Sequence, residues 1–384
     1  MSNDDQAIVS RMSPVEQRGA ANSPTQRLDY GLGGFAIKQL AGRGTYGRVF
    51  MAEHKATNRD FALKFVDYKQ GGDKHSRRHN RRVEREVKLL HLLHHPHIVR
   101  IYDVMHSSER VVMVQEYLGS NSLFDYIQHH GYLREVEACR IFRQLVSAVD
   151  YLHRNCIVHR DLKPSNIMMD HTNQVRLIDF GFANIFEWDK QLSTFCGSPS
   201  YASPEIVCGI RYTGPEVDIW SMGVILYCML CGRLPFEGAT QNDIFAKVAS
   251  GRFTMPCHVS KEAQGLLQRM LTVDPRKRIS MRGIVDHPWA NRFDDRPIDN
   301  YLPLRSAVVL QPCQQSLQKM PVYGLDITST AAALSTSNMA MTPVVCIYHL
   351  IDEARRRRES RQARNIQANM VTSSTSVYSA DQQQ

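Results

Sequence analysis

The stretch His159-Arg160-Asp161-Leu162-Lys163-Pro164-Ser165-Asn166 sets an amine two residues after a carboxylate and a side-chain amide five residues after it. Asp161 could accept or orient a hydroxyl proton. Lys163 could neutralise charge on a transferring phosphoryl group, and the amide oxygen of Asn166 is a hard donor suited to magnesium. An ordinary polar turn has the same composition, so the assignment depends on what the rest of the chain supplies. Asp179, in Leu177-Ile178-Asp179-Phe180-Gly181, follows Asn166 by 13 residues and puts a second metal carboxylate in an apolar strand with no other use for a charge.

Upstream, Gly42, Gly44 and Gly47 form G-x-G-x-x-G, with Val49 two residues on. Glycines let backbone approach phosphate closely, but the spacing also admits a dinucleotide-binding turn, and Asp67 lies 20 residues past Gly47, where a ribose-binding acid would fall. That fold needs a helix to open at the glycines. Here "RVFMAEH", the turn-like "KATNRD" and the strand "FALKFVDY" read as a β-hairpin, so the loop is a flap over a nucleotide. No G-x-x-x-x-G-K-[ST] motif occurs. Lys64, within "FALKFVDY", matches a strand lysine that grips nucleotide phosphates. Its carboxylate partner is expected to be Glu86, 22 residues on, which is followed at i+4 by the apolar Leu90; Glu84 is the second choice.

The elements that must position these groups follow from periodicity. In "FALKFVDY", Phe61, Leu63 and Phe65 alternate with Ala62, Lys64 and Val66, a strand pattern. In "EVEACRIFRQLVSAVDYLHR", Ala138, Ile141, Leu145, Val149 and Leu152 recur at three- and four-residue steps, a helix pattern. A strand-rich part followed by a helix-rich part predicts two lobes of an α+β protein. Residues 1–32, poor in apolar side chains, are expected to be a disordered arm, 33–292 a single domain, 293–321 a linker, 322–358 a further segment and 359–384 a disordered tail.

Composition narrows the class. With 384 residues and 43% hydrophobic content, the chain can bury a sizeable core. The excess of 47 Lys and Arg over 38 Asp and Glu gives +9, much of it in the runs at 75–82 and 354–364. Both are read as solvated surface and neither as a specific nucleic-acid site. Nine cysteines without regular spacing read as reduced thiols. Cys228 and Cys231 lie in an apolar helical run and are expected to pack in the core. His91, His94, His95 and His97 are read as a helix terminus favouring cationic histidine, not as a metal site. No leader, membrane span or prenylation box is visible, and the expected location is the cytoplasm, with the nucleus also allowed.

Over about residues 35–292 the ordered set Gly42/Gly44/Gly47, Lys64, Glu86, His159-Arg160-Asp161, Asn166, Asp179-Phe180-Gly181 and Ser203-Pro204-Glu205 resembles the eukaryotic protein kinases. More narrowly, "CGSPSYASPEI" and "GPEVDIWSMGVILYCMLCGRLPF" resemble the AMP-activated and sucrose-non-fermenting-type branch of the calcium/calmodulin-dependent kinase-like group. The resemblance implies a bilobal fold, a β-rich N-lobe with one regulatory helix and a helical C-lobe, with ATP and Mg2+ in the cleft. It implies serine/threonine specificity, from Lys163 two residues past Asp161. Val49, Ala62 and Met168 would sandwich adenine, and backbone groups of Glu116 and Leu118 would hydrogen-bond it. Gln115 would control access behind it.

Leu90, Ile101, His159 and Phe180 would stack as an apolar spine anchored by Asp218, and Glu205 would pair with Arg278. Thr194 would carry an activating phosphate partnered by Arg160. Ser203 replaces the usual alanine, while Ser122 and Cys228 stand where many basophilic relatives carry acids, so a strong basic requirement in substrates is not expected. Residues 322–358 resemble a ubiquitin-associated-like or autoregulatory segment, mainly through "IYHLIDEARRRR". The implied partners are protein substrates, an upstream activating kinase and regulatory subunits, with no membrane and no specific nucleic acid. The rival reading is a catalytically silent kinase-like scaffold, which would normally have lost Lys64, Asp161 or Asp179.

Overall fold

The computed structural model describes residues 32, 34–44, 47–194, 196–255, 257–306, 308–336 and 342–380. Except for Leu32, the arm expected over residues 1–32 lies outside them. Strands β1 (Phe35–Gly44), β2 (Gly47–His54), β3 (Arg59–Asp67), β4 (Ile101–His106) and β5 (Arg110–Glu116) form an antiparallel sheet in the order β1-β2-β3-β5-β4. The β2–β3 turn closes at Asn58, whose left-handed φ of 51° suits asparagine. Alternation along β3 sends Leu63 and Phe65 into a cluster with Phe50, Ala52, Val112 and Val114. Burying each large apolar side chain of this kind stabilises the sheet by about 1.5–3 kcal/mol. Lys64 is thereby left facing away from that cluster.

Helix α1 (Lys74–Leu92) separates β3 from β4 and buries Val83, Glu86, Val87, Leu89 and Leu90. Glu84 is exposed, so helical phase decides between the two candidate carboxylates in favour of Glu86. The helical region starts with α2 (Leu123–His130), which is closed by a capping box between Ser122 and Asp125, and α3 (Glu135–Arg154). All five periodic residues of α3 are at most 1% exposed. Two short antiparallel pairs follow: β6 (Ile157–Val158) with β9 (Asn184–Ile185), and the hairpin of β7 (Ile167–Met169) and β8 (Val175–Leu177) between them in sequence. Then come α4 (Pro204–Val207), α5 (Pro215–Cys231), α6 (Gln241–Ser250), α7 (Lys261–Met270), α8 (Met281–Val285) and α9 (Pro288–Asn291). Helix α5 is apolar on all sides and almost wholly buried, including Cys228.

The chain forms two compact units. The first runs to Leu302 without His91–Leu93 and Arg154–Cys156, and these two short pieces belong with Pro303–Gln384 in the second. The second unit holds α10 (Gln314–Leu317), α11 (Ile327–Ser335) and α12 (Pro343–Ala380). Ser316 donates to Asp352 Oδ1 at 3.0 Å, the Cys313 amide donates to Tyr348 Oη at 2.8 Å, and Leu317, Leu334, Ile347 and Leu350 are buried. Residues 303–321 therefore belong to this unit instead of forming a loose linker. Helix α12 continues through residues 359–380, expected as a disordered tail. Its Arg355–Glu359 ion pair at i,i+4 supports the helix where this stretch begins. Among the described residues no helix is long and apolar enough to cross a membrane.

Candidate active site

Lys64 on β3 pairs across the hairpin with Val49 and across β5 with Met113. Its Nζ lies 2.7 Å from Glu86 Oε1 and 3.1 Å from Asp179 Oδ1, so one ammonium joins the sheet, α1 and the segment after β8. Burial would lower the Lys64 pKa, but the carboxylates of Asp179 and Glu86 outweigh it and hold the ammonium well above the ordinary lysine value. Burial would raise the Asp179 carboxyl, yet the facing Lys64 keeps it below its usual range. Both side chains of the Lys64–Asp179 pair are therefore charged. The Gly-rich hairpin packs closely here: a Cβ at Gly47 would fall 1.9 Å from the Phe65 carbonyl oxygen, which only glycine avoids.

Asp161, Lys163 and Asn166 lie between β6 and β7. Asn166 Nδ2 donates to the Asp161 carbonyl at 2.9 Å and to Asp161 Oδ2 at 3.3 Å, fixing which end of its amide faces the aspartate. Lys163 Nζ is 3.7 Å from Asp161 Oδ2. Burial pushes the Asp161 carboxyl above its ordinary value, with Lys163 opposing it. The loop is tied to the Asp179 segment, because the Ile178 amide donates to the Asn166 carbonyl at 2.9 Å.

Two residues of this region, Arg160 (φ 65°) and Asp179 (φ 61°), adopt left-handed backbone that non-glycine residues avoid. At Arg160 the cause is visible. The buried Asp218 carboxylate accepts from the His159 amide at 2.9 Å and the Arg160 amide at 2.8 Å, and His153 Nε2 sits 2.9 Å away. Complete burial would raise the Asp218 carboxyl, but the His153 hydrogen bond leads a set of contacts that hold it below the usual range. His159 and Phe180, both fully buried, meet edge to face at 4.9 Å. Leu90 is buried and Ile101 half-buried.

The remaining residues singled out by sequence fall into separate groups. Val49 and Met168 are half-buried, and Ala62 is buried. The Glu116 amide is committed to the Arg100 carbonyl at 2.9 Å. Thr194 is half-buried; its carbonyl accepts from Tyr212 Oη at 2.9 Å, and Tyr212 Oη in turn accepts from Arg160 Nη1 at 3.3 Å. Glu205 and Arg278 form a bidentate buried pair within the helical region. The Ser122 side chain caps α2 and Cys228 is buried. His95 and His97 do not act as cationic terminus residues. They hydrogen-bond Ser147 Oγ and the Val175 carbonyl, and burial lowers both, His95 to about 3.

Sequence reasoning did not single out Ser198, whose hydroxyl donates to Asp161 Oδ1 at 3.0 Å. Nor did it identify Gly197, which has φ 91° and whose Cβ would fall 2.8 Å from the Arg160 carbonyl. "CGSPSY" offered a hydroxyl and a glycine, but no cue that the segment returns to Asp161. The donor set suits a nucleotide with a hard cation. With its Nδ2 turned to Asp161, Asn166 has its amide oxygen left to ligate, and the Asp179 carboxylate is about a quarter exposed (27%).

A model of the protein kinase domain family matches residues 35–290. The chain is 44% identical over 272 residues to the rice "Serine/threonine protein kinase OSK4" (Oryza sativa subsp. indica), covering 71% of this chain and 52% of that protein. It is 39% identical over 345 residues to the Arabidopsis thaliana "SNF1-related protein kinase catalytic subunit alpha KIN12", with 87% and 66% covered. To the "Carbon catabolite-derepressing protein kinase" of Saccharomyces cerevisiae it is 44% identical over 270 residues, with 70% and 42% covered. The chain thus spans about half the length of the curated relatives it matches.

Proposed function

Because the chain belongs to the protein kinase family, we propose that it transfers the γ-phosphoryl group of ATP to serine and threonine hydroxyls of protein substrates. The observation that carries this reading is the convergence of Glu86, Lys64 and Asp179, together with the Lys163–Asp161–Asn166 cluster. ATP brings the transferable phosphoryl group, and Mg2+ neutralises the charge that builds on its oxygens. Lys64, steadied by Glu86, holds the phosphates. Asp179 and the amide oxygen of Asn166 would hold the metal. Asp161 orients the acceptor hydroxyl and takes its proton, while Lys163 faces the transferring group. The three side chains a silent scaffold would normally lose are all present, and serine/threonine acceptors are supported by the names of the relatives. Protein substrates, an upstream kinase and regulatory subunits are the partners this reading implies.

The test is transfer of labelled γ-phosphate from ATP, with Mg2+, into peptide libraries bearing Ser, Thr or Tyr acceptors. Label is expected on Ser and Thr. Its absence from every library, with protein first phosphorylated on Thr194, would overturn the reading.

Phosphorylation of Thr194 is proposed to activate the protein. A phosphate there adds a charge of about −1.5 to −2 to a residue whose backbone carbonyl is linked through the Tyr212 hydroxyl to the Arg160 guanidinium. Capturing it would tie the loop to the residue immediately before Asp161. One charge-assisted hydrogen bond is worth about 1.5–3 kcal/mol, so Thr194→Ala should lower turnover at least about tenfold. Steady-state rates after treatment with an activating kinase check this, and an undiminished rate for the variant would refute it.

A further inference from the structure

Cys156 and Cys346 are 190 residues apart in sequence, yet within the second unit their sulfurs lie 3.7 Å apart, in contact and not joined. Both side chains are buried, at 0% and 2% exposure. Cys156 is held with φ 56°, a left-handed conformation unusual for cysteine, in the turn between α3 and β6. Cys346 lies in the first turns of α12, and its Sγ is also 3.3 Å from the Arg154 carbonyl. Two fixed backbones thus aim two sulfurs at one point.

We propose that Cys156 and Cys346 are a reversible oxidation site, a thiol pair that peroxide converts to a disulfide. The Cys346 thiolate attacks one oxygen of a peroxide such as H2O2, forming a sulfenic acid and releasing hydroxide, which is protonated to water. The Cys156 thiol then displaces water from the sulfenic sulfur, and the S–S bond forms. In total, two thiols lose two electrons and two protons, and H2O2 becomes two waters. Closure brings the sulfurs from 3.7 Å to about 2.05 Å.

The other buried thiols are poorer candidates. Burial raises the Cys139 thiol to about 11 and pushes Cys196 and Cys228 upward as well, which suppresses their thiolates. Cys346 goes the other way, because the hydrogen bond from Cys156 outweighs its burial. Peroxide is little larger than water and reaches the pair through local opening. The bond would clamp α12 to the turn after α3, closing a loop of 190 residues.

The test uses the full chain, treated with H2O2, blocked with an alkylating agent and digested without reductant. The expected product is a peptide pair joined through Cys156 and Cys346, in at least about ten times the yield of any link through Cys228. It should disappear with dithiothreitol and be absent from Cys346→Ser. The proposal fails if both cysteines stay alkylated to the untreated extent. It also fails if Cys346 ends as sulfinic acid without a link, or if either cysteine joins a different partner. Mapping of the wild-type chain decides the matter even if the variant does not fold. No kinase activity enters the readout, so its outcome is separate from that of the proposed function.

Discussion

Replacing Asp161 with Asn is expected to lower turnover by about 10²–10⁴-fold while leaving ATP binding nearly unchanged. The amide keeps the size of the carboxyl and can still accept the Ser198 hydroxyl, which lies 3.0 Å from Oδ1. It cannot take a proton. It would also set an NH2 against Asn166 Nδ2, now 3.3 Å from Oδ2, and would no longer face Lys163 with a charge. A pH profile separates lost proton acceptance from lost shape. Burial raises the Asp161 carboxyl, and the active form is the ionised one. The wild-type kcat/KM should therefore climb as pH rises through a value above the ordinary carboxylate range and fall away below it. In Asp161→Asn the residual rate should lack that acid limb. A variant with the wild-type rate, or with the same limb, would show that another group takes the proton.

Much of this site was legible because its residues obey short-range rules. Alternation in β3 put Lys64 on the face opposite Leu63 and Phe65, and helical phase in α1 chose Glu86 over Glu84. Asn166 and Asp179 come together because the β7–β8 hairpin folds the 12 residues between them back on themselves. What stayed hidden depends on contacts between distant segments. The Ser198–Asp161 bond spans 37 residues of a loop without periodicity, and the sulfur contact between Cys156 and Cys346 spans 190. The left-handed backbone at Arg160 is enforced by Asp218, 58 residues later, so no glycine or asparagine marks it. The extent of the second unit was misjudged for a similar reason. Residues 303–321 look like linker until Ser316 and Leu317 are buried against a helix that starts at Pro343.

The largest loss of stability is expected from Arg278→Ala, at about 3–5 kcal/mol. Arg278 is a fork with five N–H donors, and each has an acceptor. Nη1 reaches Glu205 Oε1 at 2.7 Å and the Glu216 carbonyl at 2.6 Å. Nη2 reaches Glu205 Oε2 at 3.0 Å and the Val273 carbonyl at 3.2 Å, and Nε reaches the Thr272 carbonyl at 2.9 Å. The guanidinium carbon also lies 5.1 Å from the centre of the Trp220 ring. One side chain thus joins α4, α5 and the turn after α7, and alanine would strand the Glu205 carboxylate at 2% exposure without a counter-charge. Lysine keeps the charge but has three donors on a single point, so Arg278→Lys should recover less than half of the loss. Replacing Glu205 and Arg278 together with leucine and methionine should cost much less than Arg278→Ala, since no lone charge is then left buried. Urea unfolding of the three variants measures this order. If Arg278→Ala unfolds within about 1 kcal/mol of the wild type, the pair is not holding the helices together, and residual water must be solvating Glu205 where the packing leaves it none.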